Sequence, residues 1–160
     1  MKHFKIALLL FLMALYFGIL LPVKSQEIAF MEFDPIKGGV TICTEKNAPL
    51  ILLNRTIQGD SIQTPMILEH EFTHVRQINN YPGGCKPFME RFQIDAQFRF
   101  DVEFEAYCIN AIRDIRSGKE KPDVAALHLS YWMVGRYPTK LTASAVLARA
   151  QSCIETKSKY

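Results

Sequence analysis

The chain has no acidic residue before Glu27, and beyond residue 25 it has no net charge. Three of its 19 basic residues, Lys2, Lys5 and Lys24, fall in the first 25 positions, leaving 16 basic against 16 acidic side chains in the rest. A body without excess positive charge has no bulk attraction for phosphate backbones, so no nucleic-acid partner is expected. Repeats and low-complexity tracts are also missing, which excludes solenoids. What is present is the composition of a folded chain: 49% hydrophobic and 22% charged residues over 160 positions, a length that suits one domain.

The basic start, Met1 to Lys5, is followed by 18 uncharged residues from Ile6 to Val23, interrupted only by Gly18 and Pro22. This is the pattern of a secretory signal over residues 1–25, with Ser25 as the small residue before a cut at Gln26. The competing reading is an uncleaved N-terminal membrane anchor, which would be the protein's only link to a membrane. Either way residues 26–160 form a domain outside the cytoplasm, secreted or periplasmic.

No CxxC pair occurs among the four cysteines, so the spacing of a metal or redox dithiol is absent. In an exported domain Cys43, Cys85, Cys108 and Cys153 are expected to form two disulfides, and three connectivities are open. Cys85 follows Gly83-Gly84 and has freedom to reach a partner; Cys43 could alternatively act as a metal-blocking latch. Asn54-Arg55-Thr56 is a glycosylation acceptor if the host is eukaryotic.

Short apolar runs at 27–33, 40–43 and 50–53 are separated by Pro and Gly turns and read as two or three strands. Thr64-Pro65 is a helix start, and Ile67, Leu68, Phe72, Val75 and Ile78 recur at helical spacing, predicting a helix over 65–79. After a Cys85-Lys86-Pro87 loop, residues 88–117 contain no Gly or Pro, and Asp95 is the expected break. Helices over 124–135 and 143–154, the latter capped by Thr142, complete an α+β fold in which a small N-terminal sheet packs on a helical bundle.

Within the first helix His70, Glu71, Phe72, Thr73 and His74 form an HExxH pattern. Histidines at i and i+4 project from one helix face, one turn apart, so both imidazoles can reach one metal ion. Glu71, beside them, can take a proton from water activated by that metal. No HExxHxxGxxH extension follows, so a third ligand must come from elsewhere. Residues 101–107 offer Asp101, Glu103 and Glu105. Glu105 shares a face with Cys108, Ile109 and Ile112, which favours it as a buried ligand; Glu103 lies on a more polar stripe with Ala106, Tyr107 and Asn110.

HEFTH followed after 28 residues by Glu103-Phe104-Glu105-Ala106 resembles the gluzincin zinc metallopeptidases, in particular the small single-domain minigluzincin type. The resemblance covers residues 65–110. It implies one catalytic Zn2+ held by His70, His74 and Glu103, with Ala106 as the small residue that lets two helices approach. It implies hydrolysis of a peptide or protein substrate by zinc-bound water, with Glu71 as general base. The substrate would lie along a strand edge, for which Leu50 to Ile57 is the nearest segment. Tyr107 stands where the family often has an Asp that orients a zinc histidine, so a phenol or another carboxylate is expected to orient His70 or His74. His128, Tyr131 and Tyr107 are the candidates to steady an oxyanion. The alternative is a non-catalytic metallopeptidase-like binding module, with or without zinc.

Overall fold

The computed structural model describes residues 26–32 and 38–157; the leader over 1–25, Phe33 of the first expected strand and the last three residues lie outside them. Three strands, β1 (Ile28–Met31), β2 (Gly39–Cys43) and β3 (Pro49–Asn54), form one sheet in the order β1-β3-β2. β3 runs parallel to β1 and antiparallel to β2, with Ile51 opposite both Ile28 and Thr41. Five helices follow: α1 (Gln63–Asn79), α2 (Cys85–Ile94), α3 (Ala96–Arg116), α4 (Pro122–Arg136) and α5 (Ala143–Lys157). The fold is α+β, with helices packed against a small sheet, as expected.

β3 anchors the sheet because Ile51 and Leu53 are fully buried and pack with Ile57, in the turn before α1, and with Val75 of α1. The expected break falls at Asp95, whose side chain accepts from the Phe98 N–H at 3.0 Å and so starts α3 afresh. Gly118, at φ 74°, closes that helix in the left-handed conformation that glycine adopts without steric cost.

Several boundaries differ from the sequence reading. α1 is opened by Asp60, whose carboxylate accepts from the N–H groups of Ile62 and Gln63, and Thr64 turns its hydroxyl back to the Ile57 carbonyl. Residues 85–87 are the first turn of α2 and not a loop, because proline is tolerated where no intrahelical N–H bond is required. Phe72 is 43% exposed, unlike the other periodic residues of α1. The segment expected to offer a substrate edge contains β3, the central strand; β1 and β2 occupy both of its sides, so it has no edge to give.

α3 touches all four other helices. Its residues Phe100, Phe104, Cys108 and Ile112 form the main core with Leu129 and Met133 of α4 and Val146, Ala150 and Ile154 of α5. Ala106, fully buried, lies on the same helix as Glu103. Two disulfides select one of the three open connectivities, Cys43–Cys85 and Cys108–Cys153. Cys43 therefore ties β2 to α2 and is no latch. Disulfides fit an oxidising compartment. Among the described residues no helix is long and apolar enough to cross a membrane. Asn54 is 1% exposed and its Oδ1 accepts from Thr56, so the folded chain does not present the acceptor asparagine.

The sheet lies close on α1 because β2 begins with glycine. A Cβ at Gly39 would stand 2.6 Å from Ile67 Cγ2 and 3.2 Å from Glu71 Cγ, so only a residue without a side chain admits the strand this near the motif helix.

Candidate metal centre

α1 and α3 run antiparallel, as the ion pairs Glu69–Arg113 and Arg76–Glu105 across them show. One turn of α1 presents His70 and His74, and α3 presents Glu103 directly opposite. The two Nε2 atoms lie 3.1 Å apart, and Glu103 carboxylate oxygens lie 3.4 Å from His70 Nε2 and 3.9 Å from His74 Nε2. Ligand atoms of all three residues fall within 4.8 Å of one another, a group that can hold a metal ion. Only 12% of the Glu103 side chain is exposed, so it needs a cationic partner. Burial works against its charge. The hydrogen bond from His70, the neighbouring imidazoles and the Tyr137 phenol outweigh that and hold its carboxyl below the ordinary glutamate range.

The structure does not bring Glu105 into this group. It is 40% exposed and lies between Arg76 at 3.4 Å and Lys157 at 3.7 Å. Lys157 is the last residue of α5. Glu105 nonetheless bears on the site through Gln77. The Gln77 Nε2 donates to the Val102 carbonyl at 3.0 Å and to Glu105 at 2.9 Å, so its Oε1 must face His74 Nδ1, 2.9 Å away. The proton is thereby assigned to Nδ1, and the Nε2 lone pair is left for a metal. An amide orients His74, where a phenol or carboxylate was expected. Replacing Gln77 with Ala is expected to weaken divalent-metal affinity about 10- to 100-fold in chelator competition, with helical content unchanged.

Glu71 is buried at 5% exposure, and the hydroxyl of Thr41 on β2 donates to its Oε2 at 2.7 Å. Together with the triad it lines a cleft of about 520 Å³ between β2, α1, α2, α3 and the end of α4. Tyr107 stacks edge-on to His70, ring centroids 4.5 Å apart, and Trp132 and Tyr137 back it. Burial first, then the nearby Glu103 charge, pushes the Tyr137 phenol well above its ordinary range, so it stays protonated and donates to Glu103. His128 is 68% exposed and pairs with Glu120, and Tyr131 is 84% exposed; neither lines the cleft, so neither can steady an oxyanion there. Two larger grooves, about 760 and 710 Å³, contain no member of the triad. Most of their charged residues are paired with one another, Arg76 and Lys157 with Glu105, Arg149 with Asp101 and Arg113 with Glu69, while Arg116 donates to the Lys157 carbonyl.

Thr41 and Tyr137, which line the cleft, and Gln77, which lies behind His74, are site residues that sequence reasoning missed. Gln77 carried one signal, its position one turn after His74, and Asn110, also in the cleft, carried another, its place on the polar stripe of Glu103. No protein family, curated protein or solved structure matches the chain.

Proposed function

We propose that the protein is an exported zinc metallopeptidase of gluzincin type that hydrolyses peptide bonds. The observation that carries this reading is the convergence of His70, His74 and Glu103 in a cleft with Glu71 buried beside them. Two imidazoles and one carboxylate are a donor set that suits a catalytic zinc, and the tautomer that Gln77 imposes on His74 frees the nitrogen such an ion needs. His70, His74 and Glu103 would hold the ion. Bound there, zinc supplies Lewis acidity, lowering the pKa of water toward neutrality and polarising a carbonyl.

The chain's own groups do the rest. Glu71 accepts the proton of the attacking water and returns one to the leaving amine. Thr41 holds Glu71 Oε2, which leaves Oε1 for that proton. Tyr107, the one expected oxyanion donor that reaches the cleft, offers its hydroxyl to the carbonyl oxygen. Tyr137 steadies Glu103. The substrate edge moves from the expected segment to β2, whose outer side pairs with no other strand among the described residues and whose Gly39 to Thr41 line the cleft.

Metal analysis of the purified full chain, combined with cleavage of a peptide library with and without chelator, tests the reading. About one zinc per chain and cleavage that chelator abolishes and zinc restores are expected. A loaded chain that cleaves no peptide would replace the enzyme with a zinc-holding module.

A further inference from the structure

His74 has its orienting partner, and His70 does not. Two buried side-chain atoms among the described residues lack a hydrogen-bond partner, His70 Nδ1 and Asn110 Oδ1. They are chemically complementary. An imidazole whose Nε2 lone pair faces a metal carries its proton on Nδ1, and that N–H needs an acceptor; an amide oxygen is an acceptor and nothing else. The placement fits too. The antiparallel pairing that sets Arg113 against Glu69 puts Asn110, one turn earlier on α3, at the level of the α1 turn that follows Glu69. Asn110 follows Tyr107 by one turn, and the Tyr107 ring lies against His70. Both residues line the same cleft.

We propose that Asn110 is the positioning residue for His70, its Oδ1 accepting the Nδ1–H, directly or across one water, when His70 Nε2 holds the metal. Packing alone does not account for it. A buried amide oxygen without a donor is costly, and an apolar side chain of the same size would remove the cost. The two histidines are then oriented by two amides from opposite helices, Gln77 from α1 and Asn110 from α3, and no carboxylate is needed behind either ring.

The proposal rests on the zinc reading, and the experiment separates the two. Zinc affinity is measured by chelator competition on the full chain for wild type, Asn110→Ala and Asn110→Asp, with the His70 ring nitrogens followed by NMR. The Ala variant is expected to bind zinc about 10- to 100-fold more weakly, with helical content and both disulfides unchanged, and to lose the hydrogen-bonded Nδ1–H signal. The Asp variant, which keeps an acceptor, is expected to restore affinity and signal. If the Ala variant loses its fold, Asn110→Leu, nearly equal in shape, carries the same comparison. Wild-type affinity in a folded Ala or Leu variant would overturn the role of Asn110 alone. A wild-type chain that binds no zinc would overturn the zinc reading and this proposal together.

Discussion

Glu71→Gln is expected to lower peptide hydrolysis by about 100- to 10,000-fold while leaving the metal bound, because the substitution removes a proton acceptor and changes little else. Gln has the shape of Glu, and its amide oxygen can still accept the Thr41 hydroxyl that now meets Glu71 Oε2 at 2.7 Å. Glu71 is not in the ligand group, so metal content should not fall. The pairing of measurements matters: turnover from a peptide library and zinc per chain, on the same preparation. A variant that retains full activity would remove Glu71 from the mechanism. One that loses both zinc and activity would show that Glu71 acts on the integrity of the site rather than on the proton.

A larger loss of metal is expected when Glu103 is replaced by Ala. This removes one of three ligands and the only carboxylate among them, so zinc should no longer be retained through purification. Glu105→Ala is the matched control. Glu105 lies two residues along the same helix and touches the site only through Gln77, so its loss should weaken zinc binding by no more than the 10- to 100-fold of an orienting partner. Zinc content by elemental analysis of both variants decides the question, and zinc retained by the Glu103 variant would sink the assignment.

The choice between these glutamates marks where sequence patterning stopped being informative. Helical periodicity favoured Glu105, on the reasoning that a charge on the apolar face must be the buried one. That reasoning assumes a helix with one buried and one solvated face. α3 touches all four other helices, and the stripe holding Glu103 faces α1 and the cleft, while Glu105 reaches Arg76 and Lys157 at the rim. The resemblance of the HEFTH and Glu103–Ala106 segments to the gluzincins, by contrast, implied Glu103, and the antiparallel contact of α1 and α3 sets it opposite both histidines. The strands, the helices and the break at Asp95 were legible because each rests on local chemistry, a cap, a turn or an apolar run. The edge strand was not, since the order β1-β3-β2 depends on pairing between distant segments. Tyr137 and Thr41 carry no local mark of their place in the cleft. The fold alone brings them to Glu103 and Glu71.

The two disulfides join the cysteines in sequence order, first with second and third with fourth, and the loops they close do not overlap. The first loop encloses the whole of α1 with His70, Glu71 and His74. The second begins beyond Glu103. Each crosslink can therefore form as soon as its own stretch of chain is exposed, without waiting for the other and without threading through it. Glu103 belongs to neither loop, so the meeting of the two helices at the candidate metal site is left to packing, to the ion pairs Glu69–Arg113 and Arg76–Glu105, and to the hydrogen bonds of Gln77.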